Sequence, residues 1–113
     1  FYNNTGFVTE TLAKELGALV LFAEHRYYGT SMPFKTSEAS FADVEHRRFL
    51  SIEQVMWDYI ELIKSIKSLK GIEDRAVIAF GGSYGGMLAA WLRIKYPQYI
   101  QGAIASSAPI LWF

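Results

Sequence analysis

Ala76-Val77-Ile78-Ala79-Phe80-Gly81-Gly82-Ser83-Tyr84-Gly85-Gly86-Met87-Leu88-Ala89-Ala90 is the stretch on which the reading of this chain turns. Ala76 to Phe80 is a short apolar run that reads as a strand. Gly81 to Gly86 reads as a glycine-rich turn, and Met87 to Tyr96 as a helix that Pro97 prevents from continuing. Within the turn, Gly81-Gly82-Ser83-Tyr84-Gly85 is a G-x-S-x-G sequence placed between strand and helix. A sharp turn at that point strains the serine backbone and brings strand and helix close together. Neighbours two residues away must then lack bulk, a need that Gly81 and Gly85 fit. The turn lifts the Ser83 hydroxyl above the sheet edge, at a helix N-terminus whose free amides stabilise developing negative charge. The backbone N–H of Tyr84 is then one oxyanion donor.

With glycine and serine each near 7% of residues, the pentapeptide arises by chance in roughly 3% of chains this long, and the strand-to-helix context cuts that about tenfold. A phosphate-binding loop is the competing reading of the glycines. It is disfavoured because no Lys-Ser or Lys-Thr follows Gly85-Gly86 and G-x-G-x-x-G is not formed.

Outward from this turn, the elements alternate. Val8, Leu12 and Leu16 recur at four-residue spacing before Gly17, predicting a short amphipathic helix from Gly6 to Leu16 with a glycine C-terminal cap. Ala18-Leu19-Val20-Leu21-Phe22-Ala23 predicts a buried parallel strand whose carboxyl end meets Glu24-His25-Arg26. Residues 26–50 sustain no period and read as a long loop, either functional or partly mobile. Ser51-Ile52-Glu53-Gln54 matches a capping box, which opens a long helix with the stripe Ile52, Val55, Met56, Tyr59, Ile63 and Ile66. Lys64, Lys67 and Lys70 crowd its last turns, where the helix dipole favours positive charge, and Gly71 ends it. Gly102 to Ala105 reads as a third strand. The order helix, strand, helix, strand, helix, strand predicts an α/β fold of parallel strands joined by helical crossovers.

Composition narrows the function. The 113 residues are 51% hydrophobic, enough for one modest core, and carry 11 basic and 11 acidic side chains. A balanced charge gives no long-range field to gather nucleic acid or an anionic membrane. The longest apolar run, Ala18 to Ala23, is far short of the roughly 20 residues that span a bilayer. The absence of cysteine removes disulfides and thiolate metal sites without excluding a secretory route. No initiator methionine is present, so the chain reads as a fragment, residues 1–113 of a single catalytic domain.

A serine hydroxyl is a poor nucleophile unless a histidine takes its proton and a carboxylate orients that histidine. In the α/β-hydrolase fold, the strand–serine–helix arrangement is followed in order by the Asp or Glu and the His. Tyr84 to Phe113 contain none of these residues. His25, at the end of a predicted strand, reads as a structural hydrogen-bonding histidine beside the site, and His46, within Glu45-His46-Arg47-Arg48, as a solvated surface residue.

Three stretches carry a resemblance: Glu24-His25-Arg26-Tyr27-Tyr28-Gly29, Gly81 to Ala90, and Ala105-Ser106-Ser107-Ala108-Pro109. Together with Lys95-Tyr96-Pro97 they resemble the serine carboxypeptidase family of lysosomal Pro-Xaa carboxypeptidase and dipeptidyl peptidase 2. Asn3-Asn4-Thr5-Gly6-Phe7 leans toward the carboxypeptidase branch. The resemblance implies a partial α/β-hydrolase fold and an acid-working serine exopeptidase that cleaves after proline near a peptide terminus through an acyl-enzyme. It also implies a lysosomal or secreted location, usually a homodimer, and no metal or organic cofactor. By the same resemblance, Ser83 is the nucleophile, the Tyr84 amide belongs to the oxyanion hole, and Met87 lines the apolar pocket for the substrate proline. A flexible thioether one helical turn after the nucleophile suits a flat apolar ring, although ordinary helix packing also explains it. Asn3 is the acceptor of an N-x-T sequon, used only on the secretory route. The family pattern puts a glycine-rich oxyanion segment before Phe1, on a strand lying between the two strands predicted at Ala18 to Ala23 and Ala76 to Phe80. It puts the aspartate, the histidine and a helical cap domain after Phe113. The alternatives are a dipeptidyl peptidase 2-like enzyme, an esterase on the same fold, and a non-catalytic relative that binds a partner.

Overall fold

The computed structural model describes residues 5–112. A π-wound segment, Phe7–Leu12, in which the Ala13 N–H reaches back to Val8 O, runs directly into a short α1, Ala13–Glu15. Gly17, at φ +60, ends it. The Ala18 N–H donates to Ala13 O at 2.8 Å and the Gly17 N–H to Lys14 O at 3.2 Å, a Schellman closure that needs the left-handed glycine. The predicted helix is present, but its buried residues are Thr9 and Ala13, while Leu16 is 70% exposed. The Val8, Leu12 and Leu16 stripe therefore has no full apolar partner among the described residues.

Ala18 to Ala23 forms no strand, in contrast to the expectation from its apolar run. A strand exists only through its ladder. The described residues form a single sheet of two strands, neither of which pairs with this segment. Leu19, Val20, Leu21 and Phe22 consequently stay exposed.

Residues 26–50 carry two short helices, α2 (Ser37–Phe41) and α3 (Val44–Arg47). Each starts on a side-chain cap: Thr36 accepts from the Ala39 N–H and Asp43 from the His46 N–H. The long helix α4, Ile52–Lys70, begins at Ser51, whose hydroxyl accepts the Gln54 N–H at 3.3 Å. The other half of the expected capping box is diverted, because Gln54 Oε1 accepts from Arg26 instead. Gly71, at φ +64, closes α4 with a second Schellman pair, Ile72 N–H to Lys67 O and Gly71 N–H to Ser68 O.

Strand β1, Ile78–Gly82, leads through Ser83 alone into α5, Tyr84–Lys95, and β2, Gly102–Ser106, returns parallel to β1. The register pairs Ile78 with Gly102 and Gly82 with Ser106. The glycine-rich turn is thus tighter than its composition suggested: Gly81 and Gly82 complete the strand and Gly85 and Gly86 lie inside the helix. The chain is mixed α/β with parallel strands. Its core lies between α4, α5 and one sheet face, built from Val55, Met56, Ile60, Leu88, Leu92, Tyr96 and Ile100 with Val77 and Ala79 packed against it. Ile60, missing from the predicted stripe, is fully buried. It lies four residues after Met56 on the same helix face. The alternate strand residues Ile78 and Phe80 face away from this core and remain exposed.

Candidate active site

Ser83 sits where β1 ends and α5 begins, with φ 53° and ψ −122°, a conformation that costs a non-glycine residue about 1–3 kcal/mol. Its neighbours hold it there. The Ser83 N–H donates to Ser106 O of β2 at 2.9 Å, and Ser83 O accepts the Met87 N–H at 3.1 Å, the first turn of α5. The side chain is exposed and caps nothing in the helix, so the hydroxyl is free for chemistry at the carboxyl end of the sheet.

Close approach of strand and helix accounts for two of the glycines. A Cβ on Gly81 would stand 2.0 Å from Gly85 O, and a Cβ on Gly86 would meet Ala108 Cβ and Ser106 O, each at 3.0 Å. Gly85 departs from expectation, because a Cβ there would meet nothing within 4 Å. What crowds Gly81 is the backbone of Gly85, while Gly86 is the residue wedged against β2 and the loop after it. For Gly86 the sequence signals were the doubled glycine and its place in the Gly81 to Ala90 stretch.

Tyr84 occupies the first position of α5, where a backbone N–H has no intrahelical acceptor, and that N–H adjoins the Ser83 carbonyl. An anion held near Ser83 Oγ would meet this amide at the positive end of the helix. The Tyr84 phenol reaches His25, with 3.0 Å between its oxygen and Nε2. Burial, with a smaller contribution from Tyr28, pushes the phenol above its ordinary range, so it stays protonated and donates. His25 Nδ1 lies 2.5 Å from Arg26 O. A carbonyl only accepts, so Nδ1 carries a proton, and in the neutral imidazole Nε2 receives the tyrosine O–H. Tyr28 packs edge-on against the imidazole at 4.9 Å. No histidine among the described residues is hydrogen-bonded to Ser83.

The residues around His25 are each tied to a different part of the fold. Arg26 donates through Nε and Nη2 to both carboxylate oxygens of Asp58 at 2.5 and 2.6 Å, and through Nη1 to Phe49 O and Gln54 Oε1. The hydrogen bond to Asp58 raises its already high pKa, despite partial burial. Glu24 accepts from Ser31 Oγ, the Thr30 N–H and Thr30 Oγ1, which lowers its pKa, the Ser31 bond contributing most. Gly29, at φ +56, leaves room for that carboxylate. Tyr27 is buried and donates its hydroxyl to His46 O. His46 is not the solvated residue its charged neighbours suggested. It is half-buried, stacks on Phe34 at 3.9 Å, and contacts Ala39 O through Nδ1.

Met87 is 4% exposed. Two open clefts among the described residues are bounded, one by Arg26, Pro33, Phe49 and Asp58 and the other by Met56, Trp91 and Ile94; neither of these two includes Ser83 or Met87. Asn3 of the sequon lies outside the described residues. Among the described residues, no group of three His, Cys, Asp or Glu could hold a metal ion, and no helix is long and apolar enough to cross a membrane.

The chain as a whole is similar to known proteins. Residues 2–113 match the family model described as Serine carboxypeptidase S28. The chain is 55% identical over 114 residues to human lysosomal Pro-X carboxypeptidase, covering 100% of this chain and 22% of that protein. It is 52% identical over 115 residues to prolyl carboxy peptidase like protein 5 of Caenorhabditis elegans, again 100% and 22%. It is 40% identical over 100 residues to the thymus-specific serine protease of Mus musculus, covering 88% and 19%. The chain therefore spans about a fifth of the length of the curated relatives it matches. A serine in strained geometry between strand and helix, and a family match over nearly every residue, lead to one assignment: the chain belongs to the serine carboxypeptidase family.

Proposed function

We propose that these residues are part of the catalytic domain, of α/β-hydrolase type, of a serine exopeptidase that cleaves after a proline near a peptide terminus. The observation that carries this is Ser83, exposed at φ 53° and ψ −122° between β1 and α5 with the Tyr84 N–H beside it. The 55% identity to a Pro-X carboxypeptidase supports the carboxypeptidase form.

In this reading, Ser83 Oγ attacks the carbonyl carbon after proline while its proton passes to a histidine. The carbonyl π electrons move onto oxygen, and the Tyr84 N–H stabilises the resulting charge. Collapse expels the amine with that proton and leaves an acyl-serine, which water then hydrolyses. The histidine and its carboxylate belong to the rest of the protein, because neither described histidine contacts Ser83. Met87, one turn after Ser83, contributes to the apolar pocket for proline, which other segments complete. Acyl transfer to serine requires no metal or organic cofactor. The substrate is a peptide, with no nucleic acid or membrane partner. A lysosomal or secreted location, a homodimer and glycosylation at Asn3 accompany the reading.

The test is fluorophosphonate labelling and peptide hydrolysis by the whole protein and its Ser83→Ala variant. The expected result is stoichiometric labelling that the variant abolishes, and a fall in turnover of about a millionfold with little change in thermal midpoint. Comparable turnover in Ser83→Ala would overturn the reading. A peptide with penultimate C-terminal proline should lose its last residue. Release of N-terminal Xaa-Pro dipeptides instead would move the protein to dipeptidyl peptidase action, and no labelling at all would make it a binding protein.

A further inference from the structure

Ser107 is the counterpart of Ser83 on the neighbouring strand. The register of β1 and β2 ends with Gly82 beside Ser106, and one residue further each strand leaves the sheet at positive φ, 53° at Ser83 and 49° at Ser107. The bond from Ser83 N–H to Ser106 O, at 2.9 Å, is the last rung of the ladder. Parallel strands lie about 4.8 Å apart, so the two serines stand side by side at the carboxyl end of the sheet. Glycine takes a positive φ freely, whereas serine takes it against strain. Both serines are exposed, and among the described residues neither hydroxyl has a hydrogen-bond partner. Ser106 differs, because strand alternation puts its side chain on the sheet face of Phe80 and Ile104 rather than at the sheet's end. The turn that carries Ser107 is packed against the start of α5: a Cβ on Gly86 would stand 3.0 Å from both Ser106 O and Ala108 Cβ. A hydroxyl on such a turn is held in place before anything binds.

A peptide whose scissile carbonyl lies at Ser83 Oγ runs over this end of the sheet. Proline has no N–H, so the acyl side of a bond cleaved after proline offers, next to the scissile group, the carbonyl of the residue before the proline, an acceptor that needs a donor once water is excluded. That carbonyl lies one residue, about 3.3 Å of chain, from the scissile one, within reach of a hydroxyl on a strand about 4.8 Å away. We infer that Ser107 is a substrate-binding residue of this site: its hydroxyl donates to the main-chain carbonyl of the substrate residue that precedes the proline. The inference rests on Ser83 being the acylating serine of a prolyl peptidase.

The experiment compares Ser107→Ala and Ser107→Gly with the unaltered whole protein. It reads kcat/KM on a peptide with penultimate C-terminal proline, and the rate constant of labelling by a small alkyl fluorophosphonate, which has no peptide carbonyl. Loss of one neutral hydrogen bond to substrate should lower kcat/KM about 3- to 10-fold in both variants and leave the labelling rate constant unchanged. Glycine suits φ +49, so Ser107→Gly decides if Ser107→Ala does not fold. A substrate with a thiocarbonyl before the proline, a weaker acceptor, should be cleaved more slowly than its oxygen parent by the unaltered protein but not by Ser107→Gly. Unchanged kcat/KM in either variant, or equal discrimination against the thiocarbonyl with and without the hydroxyl, would overturn the inference. So would a labelling rate that falls in step with kcat/KM, because the hydroxyl would then act on Ser83 or its histidine and not on the substrate. Ser83→Ala separates the two levels: if it retains turnover, the serine reading fails, whereas an inactive Ser83→Ala beside a fully active Ser107→Gly removes only the role of Ser107.

Discussion

Gly81, Gly85 and Gly86 differ in what surrounds the position of an absent Cβ, and this gives a graded expectation. At Gly81 the obstacle is backbone at 2.0 Å, which cannot rotate away. Gly81→Ala should therefore cost about 3 kcal/mol or more, as overpacking against a fixed backbone does. At Gly86 the contacts are at 3.0 Å, so a shift of a few tenths of an ångström in Ala108 and β2 would admit a methyl group at about 1 kcal/mol. Gly85 faces open space inside α5, and alanine there gains helix propensity of up to about 1 kcal/mol. Urea unfolding of the whole protein should rank the variants Gly81→Ala, Gly86→Ala, Gly85→Ala in order of decreasing damage. Equal damage at Gly85 and Gly81 would mean that the elbow is packed differently from the geometry described.

Among the elements, the turn from Glu24 to Ser31 is closed by one ionised side chain and has a consequence for pH. Glu24 accepts three hydrogen bonds from Thr30 and Ser31, and its pKa is lowered in the folded chain. A depressed carboxylate contributes its stabilisation fully above its unfolded pKa, near ~4.3, and loses it as pH falls through the lower folded value. The turn should thus keep its order at pH 5 to 7 and loosen below pH ~4. Protection of the Thr30 amide in hydrogen exchange, followed against pH, checks this. Glu24→Gln should remove the pH dependence, and protection in the unaltered protein that stays constant until acid unfolds the whole molecule would contradict it. His25 and Arg26 lie inside this turn's base, so its loosening would reach the hydrogen bond between His25 and the Tyr84 phenol.

The molecule as a whole exposes 7960 Å², whereas a compact chain of this length exposes about 6,300 Å². Its radius of gyration is 15.2 Å against about 13 Å expected. The excess is apolar in places that matter: Leu19 to Phe22, and Ile78 and Phe80 on the open face of β1. Parallel sheets are covered on both faces in stable folds, and two strands alone are marginal. The 113 residues expressed alone should show no cooperative unfolding transition by circular dichroism and should exchange their amides within seconds to minutes. A sharp two-state transition would show that the stretch is self-sufficient.

Local chemistry made much of this legible in advance. Gly17 and Gly71 as helix stops, Ser51 as a cap and Ser83 at a strand-to-helix turn all depend on the residue itself and a few neighbours in sequence. Sequence by itself determined these, and it carried the family resemblance that the comparisons bore out. Tertiary structure alone decided the rest, because each item depends on contacts between residues far apart in the chain. Ala18 to Ala23 has strand composition but joins no ladder among the described residues. Gly86 rather than Gly85 is the crowded glycine because β2 happens to lie beside it. Gln54 leaves its own helix start for Arg26, and His25 meets Tyr84 across 59 residues. Periodicity encodes which face of an element is apolar, whereas the identity of the neighbour that covers that face, or fails to, appears only once the chain is folded.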